Sequence, residues 1–321
     1  MRKYLDLKLG YNCNNNCVHC VISEQRENSL KLHNRDNRTT EEIFSEILKG
    51  KENGCTSIII TGGEPTLRSD FKEIVQFAKE NGFYVLLQSN GRLFSNKVFL
   101  DSVKNYIDMY MIALHGSTAL IHDKIIQSEN GFKQVVLALK NLVEIDAKIG
   151  VKVVISNYNK DDLFNILKFV YELGIKYVNI AFPHINGNAQ KNFELVVPRY
   201  NEIKSELIKC IVFAENNSDF FLDFEQVLPC LFENEYKVKY FSDLRFSNNL
   251  GFVNQMDEGE MIWTEVRKKS KRKNLKCKSC VYDNFCEGYW KEYIEKYGFE
   301  EFNSVKRFPL EFKELLAKLK R

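Results

Sequence analysis

YLDLKLGYNCNNNCVHC, residues 4–20, sets an alternating apolar segment directly against three cysteines. YLDLKL (4–9) has the period of two expected of a strand with one buried face. Cys13, Cys17 and Cys20 follow as C-x3-C-x2-C. Thiolates this close together are soft ligands, and two centres fit them. A structural zinc site needs four protein ligands, so His19 or a distant residue would have to be the fourth. A 4Fe–4S cube held by three thiolates keeps one iron open, able to chelate an amine and a carboxylate.

The chain beyond this loop alternates between short apolar runs and amphipathic stretches. After a polar loop through residue 38, Thr39 and Glu42 form a T-x-x-E capping box that opens a helix to about residue 52. SIIIT (57–61), YVLLQS (84–89), YMIAL (110–114), VKVVIS (151–156) and YVNIAF (177–182) read as further strands. Helices are expected near 69–81, 131–146, 160–174 and 198–216. Parallel strands need a crossover between them, so six strand–helix units predict an α/β fold with helices outside. Six units fall short of a closed barrel; an open, partial (β/α)6 TIM-like barrel is expected over residues 1–216. Such folds carry chemistry at the carboxyl ends of their strands. Cys13, Gly62, Asn90 and His115 each fall just after a strand and should converge on one rim.

From about residue 217 the rhythm breaks. FFLDFEQV (220–227) is a strand, and then Cys277, Cys280 and Cys286 arrive as C-x2-C-x5-C, preceded by Cys230 in VLPC. Residues 217–321 are expected to form a small cysteine-rich domain organised by metal, with a C-terminal helix ending KLKR. The spacing permits a zinc ribbon or a cluster completed by four thiolates. RKKSKRK (267–273) is the strongest charge block and reads as a solvated helix end. Cys55, before a buried strand, and Cys210, on an apolar helical face, are core thiols. His33, His122 and His184 show no ligand spacing; His184, in FPHINGNA after the sixth strand, has two readings, a residue facing the active site or a loop residue.

Composition narrows the class. The 321 residues are 44% apolar and 28% charged, as in an ordinary globular protein. No apolar run approaches the roughly 20 residues of a membrane span, and MRKYLDLKLGYN lacks a signal-peptide core. A net charge of +3 is too small to imply nucleic acid. Six of the nine cysteines stand at ligand spacings and, without an export signal, indicate a cytoplasmic metalloprotein.

Gly62-Gly63-Glu64-Pro65 directly follows SIIIT. Paired glycines allow a close backbone approach, and the Glu64 carboxylate suits an ammonium group. Beside an open-iron loop, this turn reads as the receiver for an amino acid's α-amine.

The C-x3-C-x2-C run after the first strand and GGEP after the second resemble the radical S-adenosylmethionine (radical SAM) superfamily, over roughly residues 1–216. The resemblance implies that Cys13, Cys17 and Cys20 hold a 4Fe–4S cluster whose open iron takes the amine and carboxylate of SAM. It assigns the amine to Gly62, Gly63, Glu64 and Pro65, and places His19, at a position usually aromatic, near the adenine. Gln88-Ser89-Asn90-Gly91 matches the region that helps seat the cofactor. His115, Ser117, Ser156 and Asn157 stand where the family uses polar residues for ribose and carboxylate; loop capping is the other reading of such residues. The cysteine-rich segment resembles the SPASM auxiliary domain and its shorter form, twitch. The further cysteines of a full SPASM domain are absent, so the resemblance implies one auxiliary 4Fe–4S cluster on Cys277, Cys280, Cys286 and, by elimination, Cys230.

The implied activity is reductive cleavage of SAM to a 5′-deoxyadenosyl radical that abstracts a hydrogen atom, in maturation of a ribosomally made peptide (RiPP maturation). Radical dehydrogenation or rearrangement of a small metabolite is the alternative. RNA modification, suggested by RKKSKRK and the basic end, and a two-zinc interaction module are weaker readings. The expected partners are a peptide or small-molecule substrate, a donor such as flavodoxin or ferredoxin, and a separate leader-peptide-binding chain, since the first strand begins at residue 4. Neither membrane nor nucleic acid is expected, and anaerobic conditions are.

Overall fold

The aliphatic runs become strands because their alternate side chains are buried by helices on one side of the sheet. The structure, a computed structural model, describes residues 3–232, 240–241, 250–255, 259–262, 269–284 and 286–307. The expected C-terminal helix ending KLKR lies outside these residues.

The elements run β1 (Lys3–Lys8), α1 (Ser23–His33), α2 (Thr40–Glu52), β2 (Ser57–Thr61), α3 (Phe71–Glu80), β3 (Tyr84–Ser89), α4 (Lys97–Val103) and β4 (Met109–Ala113). They continue with α5 (Ala119–Ile126), α6 (Gly131–Glu144), β5 (Ile149–Val154), α7 (Leu163–Glu172), β6 (Tyr177–Ala181), α8 (Asn188–Lys191), α9 (Phe193–Val196), α10 (Tyr200–Asn216) and β7 (Phe221–Glu225). β8 (Leu250–Gln255), β9 (Gly259–Ile262), β10 (Lys271–Arg272), β11 (Tyr289–Trp290) and α11 (Lys291–Tyr297) follow.

β1 to β7 lie parallel in the order of the sequence, the partial TIM-like barrel that the alternation predicts. The run FFLDFEQV adds a seventh parallel strand, so the sheet crosses residue 217. β8 then returns to pair parallel with β1, and β9 pairs antiparallel with β8, giving a sheet of nine strands among the described residues. The small β10–β11 pair is separate.

On the convex side Leu5, Leu7, Ile58, Ile60, Val85, Leu87, Val151, Val153, Val178 and Ile180 are buried against the helices. Each such side chain contributes roughly 1.5–3 kcal/mol. α6 meets them with Val135, Leu139 and Leu142, and α7 with Leu163, Ile166, Leu167 and Val170. Cys55 and Cys210 belong to this core, as expected. The capping box of α2 forms as read: Thr39 Oγ1 accepts from Glu42 N–H, and Glu42 accepts from Thr39 N–H.

Two expectations change. The stretch to residue 38 is not all loop, because Ser23–His33 forms α1. Its sequence is mostly polar and Leu30 is exposed, so no apolar stripe marks it. Within RKKSKRK, Arg267 and Lys268 lie outside the described residues, Lys269 is helical and Lys271–Arg272 form β10. Lys271 is buried rather than solvated, with its ammonium 3.2 Å over the Trp290 ring.

Candidate active site

Alternation along the strands puts the second set of side chains on the concave face, and this face is polar where a closed barrel would be filled with branched apolar residues. Lys152 of β5 reaches diagonally across β6 to Glu225 of β7, with Nζ 2.5 Å from Oε2. His184 Nε2 lies 3.3 Å from the other carboxylate oxygen. Burial opposes the Glu225 charge, but Lys152 and His184 outweigh it and hold the carboxyl well below its usual range. Deeper, Asn179 donates to Asp223 at 3.0 Å.

The cysteine loop enters this mouth from β1 and is held from four directions. Asn16 N–H donates to Ile126 O and Val18 N–H to Ile125 O, tying it to the end of α5. Arg92 Nη1 donates to Asn14 O at 3.0 Å and Asn15 Oδ1 at 2.7 Å, while its Nε is anchored by Gln134 at 2.6 Å. Asn90 donates to Asn14 Oδ1 at 2.7 Å. At the far end, Asn188 donates its N–H to Cys20 O and its side chain to Cys17 O. Gly187, at φ +57°, passes so near that a Cβ would lie 2.5 Å from Cys20 O.

The glycine pair meets this loop directly. Gly63 N–H donates to Gly10 O at 2.9 Å and Glu64 N–H to Asn12 O at 2.7 Å. A Cβ on Gly62 would sit 2.4 Å from Gly10 O, and one on Gly63 2.1 Å from Asn12 O. Glycine is required here first by the neighbouring backbone, that of the cysteine loop. Pro65 is buried at the start of a single helical turn behind the pair.

Glu64 is 3% exposed. Its Oε1 accepts from Thr66 Oγ1 at 2.6 Å, Thr66 N–H at 3.2 Å and Ser89 Oγ at 2.7 Å; Oε2 accepts from Asn90 N–H at 2.7 Å. Burial pushes its pKa up, against these hydrogen bonds. Ser89 and Asn90 thus join the β3 end to the β2 turn, as the convergence on one rim requires.

Burial raises all three loop thiols, Cys13 to about 11. Buried thiolates need a compensating cation, which an iron core supplies. His19 is buried, its ring 4.6 Å from His115 and edge-on to it, and its Nδ1 has no hydrogen-bond partner. Burial lowers its pKa to about 4. His115 Nδ1 accepts from Val154 N–H at 3.2 Å, which leaves the proton of the neutral ring on Nε2.

The remaining expected residues are engaged as loop caps. Ser117 donates through both N–H and Oγ to Asp162, at 2.8 and 2.7 Å. Ser156 N–H donates to Asn159 Oδ1 at 2.6 Å, and Asn157 donates to Glu194 O at 2.9 Å. Arg92, Asn188, Thr66 and the Lys152–Glu225 pair escaped sequence reading, whereas His184, after the sixth strand, was in view. NGN at 186–188 is a turn signal that points to Asn188, whereas nothing local marks the others.

In the second cysteine group, Cys230, Cys277, Cys280 and Cys286 line one cavity, and Cys230 lies within electrostatic reach of the other three. No three described His, Cys, Asp or Glu side chains meet at the spacing of a single metal ion. Four thiols around a cavity suit a cluster core. Aromatic contacts join this region to the barrel: Tyr293 stands edge-on to Tyr200 at 5.0 Å, and Trp290 meets His184 at 4.7 Å. Among the described residues no helix is long and apolar enough to cross a membrane.

Residues 7–170 match the family described as the radical SAM superfamily. The chain is 32% identical over 171 residues to the mycofactocin maturase MftC of Mycolicibacterium smegmatis, covering 52% of this chain and 42% of that protein. It is 24% identical over 196 residues to an AdoMet-dependent heme synthase of Methanosarcina barkeri, covering 61% and 55%. The alignments span about half the length of these curated relatives. In fold it is similar to anSMEcpe with bound AdoMet and Kp18Cys peptide, with TM-score 0.66, 14% identity and coverage of 100% and 99%. It is also similar to SuiB of Streptococcus suis bound to precursor peptide SuiA, with TM-score 0.65, 14% identity and coverage of 94% and 74%.

Proposed function

The chain belongs to the radical SAM superfamily, and on that premise we propose that it cleaves SAM reductively and abstracts a hydrogen atom from a peptide during maturation of a ribosomally made product. The locking of the cysteine loop onto the glycine pair, through Gly63 N–H to Gly10 O and Glu64 N–H to Asn12 O, carries this reading. It fixes three thiols beside a buried carboxylate, the donor set that an open-iron cluster and an amino-acid ligand require. The peptide assignment draws on the match to a mycofactocin maturase and on the fold shared with two peptide-bound proteins.

When bound, the cluster and SAM supply a 5′-deoxyadenosyl radical. The protein's part is holding, orienting and excluding water. In this reading Cys13, Cys17 and Cys20 are the iron ligands. Glu64 Oε2, with a single donor from Asn90, keeps acceptor room for the SAM ammonium, and the Gly62–Pro65 backbone borders it. The unpartnered Nδ1 of His19 is available to the adenine. Ser89 and Asn90 hold Glu64, His115 backs His19, and Ser117, Ser156 and Asn157 shape the surrounding loops. The polar concave face receives the substrate. Cys230, Cys277, Cys280 and Cys286 hold the auxiliary cluster, and a flavodoxin or ferredoxin supplies the electron.

Anaerobic reconstitution, metal counting and assay of 5′-deoxyadenosine test this. About eight irons per chain are expected, with nucleoside released on reduction with SAM. Cys17→Ala abolishes release, while Cys280→Ala leaves it detectable and lowers product formation on peptides encoded beside the gene. About two zincs and no cleavage would overturn the proposal.

A further inference from the structure

The short strand β11 faces two ways. Tyr289 turns toward the cavity lined by the four C-terminal thiols, and its hydroxyl lies 2.8 Å from Cys230 Sγ. Trp290 turns the other way, against His184, which in turn contacts Glu225 on the concave face. One residue earlier, Gly288 N–H donates to Cys286 Sγ at 3.3 Å.

Both donors are fixed in place. Gly288 has φ +91°, and a Cβ there would lie 2.3 Å from Arg272 O, so its N–H cannot turn away without breaking the approach to β10. The Tyr289 ring is buried, stacks on Phe302 at 3.8 Å and stands edge-on to Tyr200, whose own hydroxyl donates to Gln226 O at 2.9 Å. A phenol, with a reference pKa of about 10, carries its proton at neutral pH, whereas a coordinated thiolate has none to give. In a loaded centre the bond therefore runs from the Tyr289 hydroxyl to sulfur. A hydrogen bond to a ligand sulfur withdraws electron density and favours the more negative, reduced cluster.

Resting on the two-cluster reading above, we infer that Tyr289 is a positioning residue for the auxiliary centre: its hydroxyl donates to the Cys230 thiolate and raises the reduction potential of that centre. β11 then sets the ease of reduction at the cysteine cavity through one residue while bordering the substrate chamber through the next. The centre is then a better electron acceptor than it would be without that hydrogen bond.

The test is an electron-paramagnetic-resonance redox titration of the reconstituted full chain, repeated in a Cys13→Ala/Cys17→Ala/Cys20→Ala background to isolate the auxiliary signal. Tyr289→Phe removes one oxygen and one hydrogen bond. It is expected to shift the auxiliary midpoint to lower potential while iron content and melting temperature hold. Replacing Tyr289 by 3-fluorotyrosine, a stronger donor of nearly the same shape, is expected to shift it higher. An unmoved midpoint in both variants would overturn the inference. So would loss of about half the iron in Tyr289→Phe, since Tyr289 would then build the centre and not tune it. A wild-type chain binding only about four irons would instead sink the two-cluster reading itself.

Discussion

Gly63→Ala tests whether the second motif is glycine-rich for the sake of the first. The added Cβ would lie 2.1 Å from Asn12 O and 2.5 Å from Tyr11 O, both backbone atoms that no rotamer change can move. An ordinary carbon–oxygen contact is about 3.3 Å, so the cysteine loop must retreat by about 1.2 Å. That movement breaks Gly63 N–H to Gly10 O and Glu64 N–H to Asn12 O. Each bond is worth about 1 kcal/mol net, and the forced displacement adds about 1–3 kcal/mol. The sum, roughly 3–5 kcal/mol, corresponds to a fall in melting temperature of roughly 6–20 °C. A shift of this size at Cys13 is also enough to cost on the order of a hundredfold in rate. Thermal unfolding and 5′-deoxyadenosine release measure the two effects. Gly82→Ala is the control: its φ of +87° disfavours a side chain, but its Cβ meets nothing within 4 Å, so it costs only about 1–2 kcal/mol. If Gly63→Ala unfolds within about 1 kcal/mol of wild type and cleaves SAM normally, the glycines are not there for the backbone approach.

Two further outcomes follow from the same geometry. Arg92→Lys keeps the charge but loses the planar fork that reaches Asn14 O, Asn15 Oδ1 and Gln134 together, so the loop should loosen by roughly 1–3 kcal/mol. In a background lacking Cys277, Cys280 and Cys286, it should retain less iron than its parent; equal retention would show that Arg92 does not hold the loop. Burial lowers the His122 pKa from 6.5 to about 4. The unfolded chain therefore takes up this proton first, and stability is lost as pH falls from 6.5 toward 4. The contribution at pH 5 is roughly 2 kcal/mol. His122→Gln, which can still accept from His115 N–H, should flatten urea stability between pH 6.5 and 5 by that amount, and an unchanged slope would refute it.

The strand–helix alternation was legible because it rests on local periodicity, and YLDLKL, SIIIT and YVLLQS became β1, β2 and β3 within a residue or so. The cysteine and glycine motifs were legible because metal ligation and close backbone approach restrict the residue type at fixed spacings. α1 was not, since its mostly polar sequence carries no stripe. The Lys152–Glu225 pair was not either: a lone lysine in IGVKVV looks like an ordinary exposed strand position.

By itself, then, the sequence determined which segments form β1 to β7, which side of each is apolar, and which thiols have ligand spacing. Only the tertiary structure decided what the concave face carries and which groups meet across it. Arg92 lies 77 residues from Asn15, Lys152 73 from Glu225, and Tyr289 59 from Cys230. Contacts over such separations leave no period in the chain, because they are selected by how the strands line up in the sheet and not by the residues on either side.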